Sequence, residues 1–178
     1  DEGVREETTK EILSQLKPAF KPDGVITAGN SSQISDGAAA LLLVSEDILN
    51  KFNLEPIAKI RSMAVVGTDP VLMLSGPIPA TRKALDQAKL KPEDINLAEI
   101  NEAFSSVVGA WRKEFPEINY ENVNANGGSI AIGHPLGATG ARLMTNLIHE
   151  MKRNKLKYGL QAICEGGGTA NATIVELV

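Results

Sequence analysis

The sequence predicts an α/β layered domain. Short apolar runs of strand length alternate with longer segments whose apolar residues recur three and four positions apart. Glycine-rich or polar turns follow several of those runs, and open α/β sheets carry such loops at the carboxyl ends of their strands. With 178 residues, 43% of them hydrophobic and 22% charged, the chain is long enough for one domain or one and a half with a sizeable core.

Thr8 to Leu16 reads as a short amphipathic helix ended by Pro18, with Thr8 and Glu11 at capping-box spacing. Val25-Ile26-Thr27 reads as a short strand after the Pro22-Asp23-Gly24 turn. Ala28 to Gly37 is a polar loop whose hydroxyls and amides either only connect or grip a ligand. Ala38 to Val44 is a continuous apolar run, expected as a buried strand. Ser45 can cap a helix over Glu46 to Phe52. Pro56 marks a domain boundary. Ile57 to Val66 then reads as a strand and Val66 to Ala80 as a long loop. Pro79 to Ala88 starts a helix. Lys91 to Asp94 is a turn and Leu97 to Ile100 a buried strand. Ala103 to Phe115 is helical, with a core stripe of Phe104, Val107, Val108 and Trp111. Val123 to Asn126 reads as a strand leading into a glycine loop. A helix begins near Ala138 and runs through Leu143, Leu147 and Met151. Leu160 to Cys164 and Thr173 to Leu177 are strands on either side of Gly166-Gly167-Gly168.

Composition narrows the function classes. Net charge is −4 and no Lys/Arg cluster forms a stripe, so nucleic acid is not an expected partner. The single cysteine rules out an internal disulfide framework and a Cys-rich metal site, and no metal is expected. It fits a reducing, cytoplasmic setting. No apolar run reaches the length of a membrane span. The chain opens on DEGVREETTK without an initiator Met, which suggests a fragment or a processed product.

Three places hold chemistry that packing does not need. His134 lies in the stretch Asn126 to Arg142, which carries five of the sixteen glycines. Pro135 biases His134 away from helical geometry, so the imidazole is expected on a stiff turn at a helix N-terminus. Cys164 ends an apolar strand just before Glu165 and three glycines. Asn101-Glu102 marks a strand-to-helix switch. Each has an ordinary structural reading: a glycine turn with an incidental His, a small buried Cys, an N-cap Asn. Together they suggest a thiol–imidazole pair with backbone donors nearby. Such a site needs a lowered thiol pKa and an oxyanion stabilised by N–H groups.

These stretches resemble the thiolase family. NEAF at Asn101 to Phe104, GGSIAIGHPLGATGAR at Gly127 to Arg142, and CEGGG at Cys164 to Gly168 match three of its motifs in order. VITAGNSSQISDGAAA at Val25 to Ala40 and SGPIPA at Ser75 to Ala80 match two more. The resemblance covers the second half of a thiolase. It implies an α/β thiolase-like fold whose C-terminal domain has a mixed sheet between helical layers. Residues 1–34 would then end a CoA-binding loop domain. Residues 35–55 would be a strand and helix returning to the N-terminal domain, and residues 56–178 the C-terminal domain.

The resemblance also implies an acyltransferase that cleaves 3-oxoacyl-CoA with free CoA, or condenses two acyl-CoAs. Coenzyme A and acyl-CoA are substrates, and no cofactor is tightly bound. In that reading His134 activates a nucleophilic cysteine and polarises the thioester oxygen. Asn101 holds a water that shares an oxyanion hole with His134. Cys164 moves the α-proton, and the Gly166 N–H serves a second oxyanion hole. Ala28, Ser32, Met73, Ala103 and Phe104 match positions along the pantetheine and acyl path. The family's acylated cysteine belongs to the first half of the fold, so the chain is expected to need that half and to be inactive alone. A homodimer or homotetramer is implied for the full enzyme. Glu165 and Thr169-Ala170-Asn171 lean toward the degradative branch, fatty-acid β-oxidation. Gln33 replaces a glycine common in the CoA loop. A non-catalytic acyl-CoA-binding or scaffold module with the same fold is the alternative.

Overall fold

The computed structural model describes residues 3–178, so Asp1 and Glu2 lie outside it. In chain order the regular elements are α1 (Lys10–Ser14), α2 (Glu46–Phe52), β1 (Ala58–Gly67), α3 (Pro77–Ala88), β2 (Leu97–Ile100), α4 (Ser105–Glu114), α5 (Ser129–Ile132), α6 (Thr139–Asn154), β3 (Tyr158–Cys164) and β4 (Thr169–Leu177). The strands form one mixed sheet in the order β1-β4-β3-β2. β4 runs antiparallel to both β1 and β3, while β2 and β3 are parallel.

Alternation along the strands sends side chains to two cores. One core joins Ala64, Ala98, Ile100, Leu160, Ala162, Ala172 and Ile174 to Ala80, Ala84 and Leu85 of α3 and to Trp111 and Phe115 of the α4 region. Small residues on the strands let α3 lie close. The Trp111 indole N–H donates to Thr81 Oγ1 at 3.0 Å, which satisfies both groups in the core. The opposite core joins Leu97 and Val175 to Leu147 and Met151 of α6. Leu143, Leu147 and Met151, four residues apart, put one stripe of α6 on the sheet. Gly159 permits this approach, because a Cβ there would strike Met151 and Leu147. Helices therefore cover both faces, as an α/β layered fold requires.

Several sequence expectations change. α1 is capped by Thr9, whose Oγ1 accepts from the Ile12 N–H at 3.3 Å, so it starts later than a Thr8 cap would place it. α3 begins at Pro77, two residues early, where a proline suits the first turn. Val25–Thr27 forms no strand. Val123–Asn126 reduces to an isolated parallel bridge between Ala98 and Val123, because Asn124 takes a left-handed φ of 52°. The largest difference is Ala38–Val44. It is not a buried strand but an irregular segment, with Leu42 82% and Leu43 68% exposed. A strand needs hydrogen-bonding neighbours, and the described residues offer this run none.

Candidate functional site

The glycine stretch is held down by a carboxylate. Glu102, just past β2, accepts from the Ile130 N–H at 2.9 Å and from Asn124 Nδ2 at 2.7 Å. Gly128 is the residue that allows this, since a Cβ there would collide with the Glu102 carboxyl. Beyond α5 the chain turns through Gly133 (φ 89°), where a Cβ would meet Ser35. His134 follows. Its backbone N–H donates to Gln33 O at 2.7 Å, which pins the polar loop Ala28–Gly37 to the turn. A cleft of about 400 Å³ lies alongside, between residues 35–39 and 135–138; His134, Asn101 and Cys164 do not line it.

The imidazole is oriented by Thr139. Nδ1 lies 2.6 Å from Thr139 Oγ1, and that hydroxyl donates to Pro135 O at 3.0 Å. A hydroxyl has one proton, so with it on Pro135 O the threonine accepts from Nδ1–H. Nε2 is then the basic nitrogen. Burial, and next the Arg142 charge, lower the His134 pKa, which keeps the ring neutral.

Asn101 is nearly fully buried at the end of β2. Its N–H donates to Ala162 O at 3.0 Å, and its Oδ1 accepts from Ser129 Oγ at 2.9 Å. It caps no helix; Phe104 occupies the N-cap of α4. Cys164 ends β3, the neighbouring strand, and is buried. Its thiol pKa is raised, chiefly by burial and slightly by Glu165. Its own N–H and the Asn101 side chain offset part of that. The expected pair of Cys164 with His134 does not form: the imidazole bonds Thr139, and Asn101 is the side chain against the thiol. The expected lowered thiol pKa is likewise corrected, because burial without a cation favours the neutral thiol.

Gly166 is exposed, with open space where a Cβ would stand. Gly167 and Gly168 take positive φ of 72° and 84°. Gly168 O accepts from the Thr68 N–H at 2.7 Å, which brings the loop carrying Met73 against the glycine triplet. Met73 itself is half-buried, with φ 44°. Ser32 is tied to the site: its N–H and Oγ both donate to Ala103 O, at 3.1 and 3.3 Å. Phe104 meets Phe20 edge to face, 5.4 Å between ring centres. Ala28 opens the short turn Ala28–Asn30 in the same polar segment. His149 is exposed on α6, away from all of these.

Residues that sequence reasoning missed are the supports: Ser129, Thr139, Arg142 and Glu99. One signal was available. Glu99 sits inside the otherwise apolar strand Leu97–Ile100, and a charge in such a run is unusual. Among the described residues no group of three or more His, Cys, Asp or Glu is placed to hold a metal ion. No described helix is long and apolar enough to cross a membrane.

Comparison with known proteins gives a consistent picture. Residues 54–177 match the family described as thiolase, C-terminal domain, and residues 1–47 match thiolase, N-terminal domain. The chain is 52% identical over 176 residues to the steroid 3-ketoacyl-CoA thiolase FadA6 of Mycobacterium tuberculosis, covering 99% of this chain and 42% of that protein. It is 50% identical to a 3-ketoacyl-CoA thiolase of Bacillus subtilis, covering 99% and 45%. Among solved structures, the Bacillus anthracis acetyl-CoA acetyltransferase superposes with a TM-score of 0.95 at 45% identity, over 100% of this chain and 45% of that one. Human mitochondrial 3-ketoacyl-CoA thiolase in complex with CoA superposes with a TM-score of 0.90 at 41% identity, over 98% and 44%. The chain thus spans less than half the length of these relatives.

Proposed function

Because this chain belongs to the thiolase family, we propose that it is the C-terminal part of a CoA-dependent acyltransferase that cleaves 3-oxoacyl-CoA with free CoA, or condenses two acyl-CoAs. The observation that carries the proposal is the convergence of Asn101 and Cys164 at the ends of adjacent parallel strands, with His134 on its braced turn. The alternative of a non-catalytic module gains no support from relatives that are named as thiolases.

The chemistry follows from the protonation states. A neutral imidazole with a free Nε2 can take the proton of a nucleophilic thiol supplied by the N-terminal half. That thiolate attacks the 3-oxo carbon, and the bond between C2 and C3 breaks toward the thioester. The departing enolate must be protonated at carbon, and a thiol that keeps its proton suits this step. Cys164 is that acid, and its raised pKa means that it starts cleavage with its proton in place. In condensation it must lose the proton first. Asn101 and the Gly166 N–H stabilise negative oxygen as it develops. The acyl group left on the nucleophile then passes to the sulfur of free CoA. Ala28, Ser32, Met73, Ala103 and Phe104 are proposed to border the pantetheine and acyl path. The residue divisions 1–34, 35–55 and 56–178, a homodimer or homotetramer, and a cytoplasmic location complete the reading.

The test is thiolysis of acetoacetyl-CoA, followed by loss of enolate absorbance. The chain alone is expected to be inactive. Fused behind the first half of the Bacillus subtilis relative, it is expected to turn over. His134→Ala in that fusion should lower kcat by at least about 10²–10³, with a smaller change in KM. Exposed His149→Gln should change little. Turnover by the isolated chain that depends on Cys164 would overturn the half-enzyme reading.

A further inference from the structure

Arg142 is the one charged residue of the glycine stretch that the chemistry above leaves unused. It lies in the first turn of α6 and is half-buried. Its Nη2 donates to Ser129 Oγ at 3.2 Å and to Gly133 O at 3.3 Å. The two acceptors lead to different halves of the site. Gly133 O belongs to the peptide that leads into His134. Ser129 is fully buried, and its Oγ passes its single proton to Asn101 Oδ1 at 2.9 Å. A hydroxyl that donates there has lone pairs free to accept, and an arginine can only donate, so the two bonds are compatible. With Oδ1 held in this way, Nδ2 is the end of the Asn101 amide left for the thiol and the substrate.

A buried carboxyl group lies within the electrostatic reach of the guanidinium. Glu99 is fully buried on β2, and neither of its oxygens has a hydrogen-bond partner. Arg142 exerts the largest opposite-charge influence on it, although the two form no ion pair within 4.0 Å. Arg142 Nε and Nη1 are also buried without partners. The guanidinium is therefore held by hydrogen bonds to two neutral oxygens.

We propose that Arg142 is a positioning residue: its two-point clamp on Ser129 and Gly133 sets the Asn101 amide and the His134 turn in register. The proposal rests on the thiolase reading only for what the site does; the clamp can be tested without turnover. A lysine would keep the charge but present a compact ammonium in place of a rigid fork.

Cys164 is the sole cysteine, so alkylation by iodoacetamide reports one thiol. The experiment measures the pH midpoint of that alkylation, the hydrogen-exchange protection of the His134 amide, and the melting temperature. Arg142→Lys and Ser129→Ala should each move the midpoint upward, in the same direction as Asn101→Ala. Adding Arg142→Lys to Asn101→Ala should move it no further, because the arginine acts through the asparagine. Arg142→Lys should also lower protection of the His134 amide, whereas Ser129→Ala should leave it in place. A lower melting temperature with an unchanged midpoint and unchanged protection would overturn the proposal, leaving Arg142 a packing residue. If Arg142→Lys fails to fold, an unchanged midpoint in Ser129→Ala alone overturns it. Loss of the clamp signature with normal thiolysis in the fusion condemns the clamp. A full clamp signature in an inactive fusion condemns the thiolase assignment and leaves the clamp standing.

Discussion

From Ser62 onward the chain repeatedly reaches zero exposure, at Ala84, Trp111, Leu147 and Ile174, whereas no described residue before Ser62 is buried. Both regions hold apolar runs. Ala38–Val44 is as apolar as β3, yet Leu42 and Leu43 stand in the open while Leu160 and Ala162 are sealed. Side-chain chemistry does not separate them. The later region supplies its own neighbours, a strand on each side of β3 and a helix on each face. Ahead of β1, the earlier region touches the rest through scattered contacts, such as Ser32 to Ala103, His134 to Gln33 and the Phe20 ring on Phe104. Apolarity states what a segment can bury; the fold of the described residues decides whether anything buries it.

Core substitutions should draw this contrast most sharply. Trp111→Ala removes a fully buried ring and the donor to Thr81 in the core beneath α3, and should cost about 3–5 kcal/mol in urea unfolding. A cost under about 1 kcal/mol would mean the later region is less self-contained than its burial implies.

The next effect depends on pH. Burial raises the Glu99 pKa from 4.5 to about 8, against the opposing pull of Arg142. The folded protein then holds this proton more tightly than the unfolded chain does. Stability is greatest below pH 4.5 on this account and falls as pH rises toward 8, by up to about 1.4 kcal/mol per unit. Above that both states are ionised and the slope vanishes. Glu99→Gln should flatten the decline in melting temperature between pH 5 and 8. A decline that survives in the variant would place its origin elsewhere.

Gly128→Ala probes the loop that joins the two regions. The added methyl strikes the Glu102 carboxyl, which is held by Asn124 and by the Ile130 N–H. The cost should be about 1–3 kcal/mol, with loss of order around His134 visible in its ring resonances. Smallest of all should be Leu42→Ser with Leu43→Ser, within about 0.5 kcal/mol by the same unfolding assay. The substitution should also reduce self-association in light scattering, since exposed apolar runs promote it. A large loss of stability would break the comparison outright.

Much of the later region was legible because its signals were local. The stripe Leu143, Leu147, Met151 and the short runs at Leu97–Ile100 and Leu160–Cys164 place α6, β2 and β3 without reference to the rest of the chain. Val25–Thr27 and Val123–Asn126 are misread because strand propensity met no partner strand, whereas Ala38–Val44, read as part of the N-terminal domain, stands without a sheet partner among the described residues. The site divides in the same way. His134, Asn101 and Cys164 stand out as chemistry beside glycines. Ser129, Thr139 and Arg142 do not, because a hydroxyl or a guanidinium on a helix is ordinary until its bonds are known. The thiol's raised pKa was also beyond reach, since it follows from burial rather than from any motif.

The sheet order has a consequence for synthesis of the chain. β4 is the last of the four strands to leave the ribosome, yet it lies between β1 and β3. Until residues 169–177 emerge, β1 has no partner, and β3 can pair only with β2. Residue 58 finds its partner at residue 177, so the full span of the domain must be made before the ladder can close. At about 5–20 residues per second, that leaves β1 waiting several seconds with its edge open. A nascent chain stalled before residue 169 should therefore resist proteolysis poorly and attract chaperones. Release of the final nine residues of β4 should convert it to a resistant form in one cooperative step.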